Sequence, residues 1–235
     1  MERKHRVLLK LSGEACSGEK GFGFDEETVR AAAVQVKEAV ENGYQIAVVI
    51  GGGKFWRGRS SDAIERTKAD QIGMLATVMN CIYTSEIFRT EGMKTVVMTP
   101  FKVGEFTRGF SKDLANAYFA EGTVVFFAGG TGHPYFSTDT GTVLRAIEIE
   151  ADTILLAKSI DAVYDSDPAK NPDAKKYTVV SLSEVLEKQL QVVDLTATIL
   201  AKENRMPMVV FGLDEKDGII RAARGEAIGT SVTID

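Results

Sequence analysis

The stretch Ile46–Gly58, IAVVIGGGKFWRG, decides the fold. It opens as a run of buried-strand residues, Ile46, Ala47, Val48, Val49 and Ile50. It then breaks into Gly51-Gly52-Gly53, with Arg57-Gly58 a few residues on. Three successive glycines strip the side chains from the carboxyl end of a strand. Backbone N–H groups then approach a ligand closely, and such loops form anion-binding concavities. In open α/β sheets, ligands lie outside the carboxyl ends of the strands. Arg57 would supply a planar, bidentate phosphate donor there. The alternative is an ordinary turn with a solvated arginine, since glycine runs also punctuate loops.

Working outward, Arg6–Leu11 (RVLLKL) reads as a first strand that ends at Ser12-Gly13, with Lys10 set among its apolar residues. A glycine loop, Gly18–Gly23, follows. Asp25 is a good N-cap, and Glu26 and Glu27 complement the dipole of the helix it opens. That helix runs to about Asn42 on an apolar face of Val29, Ala33, Val36 and Val40, and Gly43 stops it. Downstream, Ile64–Thr90 reads as one long helix. Ile72, Leu75, Ala76, Met79, Ile82, Tyr83 and Ile87 fall near a 3.6-residue period. Further strands are expected at Thr95–Met98, Thr123–Ala128, Thr153–Leu156, Met208–Phe211 and Thr230–Ile234. Helices are expected from Ser111 to Glu121 and over Thr140–Glu150, Ser183–Lys188, Thr196–Glu203 and Ile219–Arg224. Pro100–Gly109 reads as irregular, Ala162–Tyr164 as the start of a short hairpin, and Asp165–Tyr177 as an exposed loop. Strands alternating with helices imply an α/β fold, a mainly parallel central sheet with helices on both faces.

Bulk properties narrow the function. A chain of 235 residues with 44% hydrophobic residues is long enough for a sizeable core. Net charge is -5, so no polybasic surface suggests nucleic acid or an anionic membrane as a partner. No stretch approaches the ~20 apolar residues of a membrane span. The apolar run near the N-terminus is too short for a signal segment. Cys16 and Cys81 lack metal-type spacing, which suits a reduced, cytoplasmic setting and small buried thiols.

Familiar catalytic patterns are absent. There is no G-x-x-x-x-G-K-[ST], no G-x-G-x-x-G after the first strand, no G-x-S-x-G and no protein-kinase signature set. The two histidines, His5 and His133, do not make a histidine-based centre. What remains is a set of strand ends carrying Gly, Lys, Arg, Thr and Asp: Lys10–Gly13, Gly51–Arg57, Thr131–Asp139 and Lys158-Ser159. This collection suits phosphoryl transfer, which needs positioning and charge neutralisation more than covalent chemistry. Lys10 is the sharpest clue: a lysine late in an apolar strand either snorkels to solvent or serves an anion at the strand end. A phosphate acceptor would need no general base, since its second pKa is about 6.

Together these residues resemble the amino acid kinase family. The resemblance runs through KLSGE at Lys10–Glu14, GEKGFG at Gly18–Gly23, VVIGGGKFWRG at Val48–Gly58 and ADQIGMLATVMN at Ala69–Asn80. It continues through AGGTGHPYFSTDT at Ala128–Thr140, DAVYDSDP at Asp161–Pro168 and VVDLTAT at Val192–Thr198. Within the family, GMLATVMN and TGHPYFSTD are similar to the branch whose acceptor is UMP. Acetylglutamate, aspartate and carbamate kinases share the glycine strand ends without them.

The resemblance implies transfer of the ATP γ-phosphoryl group to UMP, giving UDP and ADP in pyrimidine nucleotide biosynthesis, with Mg²⁺ carried by the nucleotide. It implies one three-layer domain over residues 1–235, with an acceptor lobe over roughly 1–150 and an ATP lobe over roughly 151–235. Lys10, Arg57 and Asp139 would be catalytic. Lys10, Leu11, Ser12, Gly13, Gly53, Arg57, Lys158, Tyr164 and Asp167 would hold ATP. Gly52, Asp70, Thr131, Gly132, His133, Pro134, Tyr135, Phe136, Ser137 and Thr138 would hold UMP. Gly18, Glu19, Lys20, Gly21, Phe22 and Gly23 match the stretch linked to GTP activation, with UTP as feedback inhibitor. Members are typically cytoplasmic homohexamers.

Lys54 stands where the family commonly has Asn, His133 and Tyr135 alter the TGNPFF pattern, and Ala162 replaces a usual Gly. Either Lys158 or Ser159 takes the ATP-contact position. Asp139 either organises Lys10 and the metal or caps the following helix; Asp194 reads as an N-cap. Two alternatives stand beside the UMP reading. One is a small carboxylate or carbamate acceptor, and the other is a nucleotide-binding module without turnover.

Overall fold

The computed structural model describes residues 5–14, 16–17, 23–53 and 64–235. Its centre is β1 (Arg6–Leu11), which pairs in parallel with β2 (Gln45–Ile50) on one side and β6 (Thr153–Lys158) on the other. Beyond β2 lie β5 (Val124–Phe127), β3 (Thr95–Thr99) and β4 (Arg108–Gly109); beyond β6 lie β8 (Met208–Gly212), β9 (Thr230–Thr233) and β7 (Val179–Ser181). Among the described residues the sheet therefore has nine strands, ordered β4-β3-β5-β2-β1-β6-β8-β9-β7. Among the pairings of these nine described strands, β8–β9 alone is antiparallel. The strands beside β1 come from chain segments before residue 150 on one side and after it on the other. That places a topological switch at the middle of the sheet, where ligands of open α/β folds bind.

Alternation along β1 assigns its faces. Val7, Leu9 and Leu11 enter one core, covered by α1 (Glu26–Glu41), α2 (Arg66–Thr90) and α7 (Gly218–Ala223). Leu8 enters the other, covered by α3 (Lys112–Ala120), α4 (Thr138–Glu148), α5 (Leu182–Glu187) and α6 (Leu195–Glu203). Side chains two apart share a face, so Lys10 points with Leu8 into the α4 layer. Burying a Leu or Phe side chain contributes about 1.5–3 kcal/mol, and Leu8, Leu9, Phe88, Phe119 and Phe126 are all fully buried.

The sequence expectation of a mainly parallel α/β sheet with helices on both faces holds. Asp25 caps α1 by accepting from Thr28 N at 3.0 Å, and Gly43 follows the helix at φ +88°. Burial pushes the Cys16 and Cys81 thiols up to about 12. The periodic apolar residues of α2 are a surprise. Leu75, Met79, Ile82 and Tyr83 face outward. Apart from Val78 and Phe88, the inward face is instead Ala69, Ala76, Thr77, Asn80, Cys81, Thr84 and Ser85. Small side chains let this helix lie close to the strand ends. β7 and the two-residue β4 escape sequence reading because each is too short to show a period. They form by edge pairing, Val180 with Val232 and Met98 with Arg108. The expected hairpin appears as a single antiparallel bridge, Tyr164 with Lys176.

Candidate active site

Two glycine-bearing strand ends meet backbone to backbone. A Cβ on Gly13 would lie 2.7 Å from Gly53 Cα and 2.8 Å from Gly51 O. α2 holds these ends from beneath. Asn80 Nδ2 donates to Gly51 O at 2.8 Å, and Thr77 Oγ1 accepts from Gly129 N at 2.8 Å. Sequence reading missed both side chains. Their signal was the placement of Thr and Asn within ATVMN, on a helix face that a simple core would fill with apolar residues.

On the opposite layer, Ser137 caps α4 and accepts from Thr140 N at 3.2 Å. The helix begins at Thr138, two residues before the expected start. Asp139 therefore sits inside the first turn and forms an ion pair with Lys10 Nζ instead of capping. Side-chain exposure is only 14% for Lys10 and 21% for Asp139, so this pair is largely sheltered from solvent. Burial raises the Asp139 carboxyl, but Lys10, Lys158 and the Asp194 backbone N–H together hold it below the ordinary carboxylate range. Lys158, at the end of β6, donates to Val192 O. Burial pushes its ammonium down to about 8, with Asp139 pulling it back up and Lys10 repelling it further. Ser159 is exposed. Of the two candidates, Lys158 is the one beside Asp139.

Asp139 lines two clefts. The first, about 390 Å³, runs from Lys10, Ser12 and Gly13 past Gly52 and Gly53 to Asp70 and the loop before α4. The second, about 430 Å³, lies between Lys158 and the apolar side chains of Val185, Leu190 and Leu195. Asp70 accepts from Arg66 Nε at 2.8 Å and from Tyr135 N at 2.7 Å, so α2 is tied to the loop across the first cleft. Arg66 also stacks over the Tyr135 ring at 5.1 Å.

Of the remaining sequence candidates, Thr131, His133, Phe136, Ser137 and Thr138 line the first cleft. Gly132, Pro134 and Tyr135 belong to the same loop but do not line it. The Thr131 hydroxyl closes a local turn, accepting from His133 N at 3.2 Å. Leu11 sends its side chain into the core, so only its backbone is near the site, and its carbonyl accepts from Gly51 N at 3.4 Å. Tyr164 and Asp167 lie in the β6–β7 loop and line neither cleft. The Tyr164 hydroxyl donates to Asp161 at 2.8 Å, and Asp167 accepts from Ala169 N at 3.0 Å. Arg57 and Gly18, Glu19, Lys20, Gly21 and Phe22 fall outside the described residues, as does Lys54. Gly23 precedes α1 at φ +71°. Asp194 caps α6 through Ala197 N at 2.9 Å, as its sequence context suggests.

A model of the amino acid kinase family matches residues 5–212. Solved structures show the same architecture. UMP kinase from Bacillus anthracis is 34% identical at a TM-score of 0.93, over 99% of this chain and 98% of that one. UMP kinase from Ureaplasma parvum is 31% identical at 0.91, over 98% and 99%. Uridylate kinase from Archaeoglobus fulgidus is 27% identical at 0.74, over 97% and 99%.

Proposed function

The chain belongs to the amino acid kinase family, and from that premise we propose that it transfers the γ-phosphoryl group of ATP to UMP, giving UDP and ADP. The observation that carries the reaction class is the meeting of Lys10, Asp139 and Lys158 where two clefts join. One lysine paired with a carboxylate, and a second lysine near enough to feel its charge, suit a reaction in which negative charge shifts between phosphate oxygens. UMP as the acceptor is supported by the full-length likeness to UMP kinases. In this reading the first cleft takes UMP, and residues up to about 150 form the acceptor half. The second cleft and residues 151–235 take ATP, with Arg57, Tyr164 and Asp167 as contacts proposed on resemblance alone.

The chemistry follows from the side chains. UMP brings its own ionised phosphate, so no base is required. Lys10 neutralises charge on the group in flight, and Asp139 keeps its ammonium on the line between the clefts. The backbone at Gly13, Gly52 and Gly53 approaches phosphate oxygens without side chains in the way. The donor set fits a Mg²⁺ that arrives on the nucleotide. Among the described residues no three His, Cys, Asp or Glu side chains form a metal-holding group, and Asp139 already neutralises lysine. Asp139 is the residue that would touch such an ion, which when bound supplies further charge neutralisation at the phosphates.

A coupled ADP-release assay tests the acceptor, with Mg-ATP and UMP, CMP, AMP, acetylglutamate or carbamate. Turnover with UMP is expected to exceed that with the others. Asp70→Ala is expected to raise the UMP KM by at least about tenfold, the scale of one lost charge-assisted hydrogen bond. Activity on a small acceptor that ignores Asp70→Ala would replace UMP in this reading. ATP binding without any product would favour a binding module.

Lys158 makes a second prediction. Its folded-state pKa of about 8 lies below the ordinary lysine value. Between those values the folded chain has released a proton that the unfolded chain keeps. This group's contribution to stability therefore rises with pH across that window. ATP recognition runs the other way, because the cation is lost as pH passes about 8. kcat/KM for ATP, which reports the free enzyme, is expected to fall through that range, and Lys158→Arg is expected to remove the fall. A limb unchanged in the arginine variant would exclude Lys158 as its source.

Homohexameric assembly is proposed on resemblance; the outward stripe of Leu75, Met79, Ile82 and Tyr83 supports only a contact with a second chain. GTP activation and UTP inhibition remain attached to Gly18–Gly23. Next to that stretch, Phe24 stacks on Tyr83 at 4.8 Å, so an effector bound there would bear on the same stripe. Among the described residues, no helix is long and apolar enough to cross a membrane. A cytoplasmic site of action accords with the two buried free thiols.

A further inference from the structure

The N-termini of α4 and α6 come together beside the two clefts. Each helix N-terminus carries roughly half a positive elementary charge, so this arrangement calls for anions. Each helix brings one carboxylate, and each carboxylate serves the other helix. Asp194 caps its own helix through Ala197 N at 2.9 Å. It also accepts from Ser137 Oγ, and from Thr140 Oγ1 at 3.3 Å. Those two hydroxyls flank Asp139 in the chain. Asp139 in turn faces the backbone N–H of Asp194. Asp194 lines neither cleft, but its neighbours do: Ser137 and Thr138 wall the first, Leu195 and Thr198 the second.

A helix cap needs one bond, and Ala197 N provides it. The two hydroxyl contacts cross to another helix, and hydrogen bonds to a carboxylate are roughly twice as strong as neutral ones. We propose that Asp194 is a positioning residue for phosphoryl transfer, holding Ser137 and Thr140 so that Asp139 keeps Lys10 in place and the walls of the two clefts stay in register. The proposal rests on the kinase reading above. Losing this clasp lets the Lys10–Asp139 pair drift, and misplacement by about 1 Å can cost on the order of a hundredfold in rate.

The test separates cap from clasp. Serine ranks with aspartate as an N-cap, so Asp194→Ser keeps α6 capped. Its shorter, uncharged side chain does not span to Ser137 and Thr140. kcat is expected to fall about 10–100-fold, with each KM within about threefold of wild type and Tm within about 4 °C. Thr140→Val removes one donor and leaves the cap intact, so it decides the matter if Asp194→Ser does not fold. Its kcat is expected to fall at least about threefold, and the double variant is expected to be no slower than Asp194→Ser, because both act through one contact. Single-variant rates within about threefold of wild type, or losses that multiply in the double variant, would overturn the proposal. Wild-type protein silent on UMP but active on another acceptor would overturn only the UMP assignment, and the variants would then be scored on that acceptor. Silence with every acceptor would overturn both.

Discussion

In Lys10→Ala, kcat for UMP phosphorylation falls by about 10²–10³, the usual loss when a preorganised charge is removed from a transition state. The size of the effect comes from where β1 places the side chain. Lys10 lies on the central strand, between two parallel neighbours, and its side chain is 14% exposed. A cation in that position is screened far less than one at the surface. It is also fixed in advance, because Asp139 pairs with it and is itself fixed in the first turn of α4. The change in kcat should exceed the change in either KM, since the charge in flight exists only during transfer. Lys10→Met, which keeps most of the stem, should be nearly as slow; lost packing then does not explain the loss. Steady-state kinetics with UMP and Mg-ATP check this. A kcat within about threefold of wild type in either variant would remove Lys10 from the reaction. Stability should also fall, because Asp139 loses the nearer of its two cations and a buried carboxylate is costly when its partner is removed.

Strand ends were readable because their chemistry is local. An apolar run followed by glycines, or by a lysine and Ser-Gly, declares itself within a few residues. So did the helix stops and caps at Asp25, Gly43, Ser111 and Asp194. What was hidden depends on partners far away in the chain. Lys10 and Asp139 are 129 residues apart, and only the order β2-β1-β6 with α4 packed on one face makes them a pair. The sequence left Asp139 open between capping and pairing. Ser137 resolves this, because it takes the cap and moves the helix start back by two residues. α2 misleads for a related reason. Its apolar period is real but marks the outer face, while the working face holds Thr77 and Asn80, whose partners are backbone groups of Gly129 and Gly51. Where a helix serves strand ends it needs small and polar residues inward, as at Thr77 and Asn80, even though Val78 and Phe88 are buried on the same helix, so hydrophobicity alone points the wrong way.

Gly13→Ala should be nearly as damaging as the loss of Lys10, for a purely spatial reason. The added Cβ would stand 2.7 Å from both Cα and N of Gly53 and 2.8 Å from Gly51 O. All three are backbone atoms, so no flexible side chain can swing away. The strain must move one strand end relative to the other, and both ends line the first cleft together with Lys10. Overpacking of this kind costs typically 1–3 kcal/mol, which in a chain of this size lowers Tm by several degrees. The displacement is more harmful than the strain, since a shift of about 1 Å in a positioning element can cost on the order of a hundredfold. Gly109→Ala is the control, because a Cβ there meets open space. It should leave both Tm and kcat/KM close to wild type. If Gly13→Ala behaved like Gly109→Ala, the close approach of the two glycine loops would not be what shapes the phosphate end of the cleft. If it lost activity while keeping its Tm, the strain would have been relieved by opening that end, and the cost would fall on phosphoryl transfer alone.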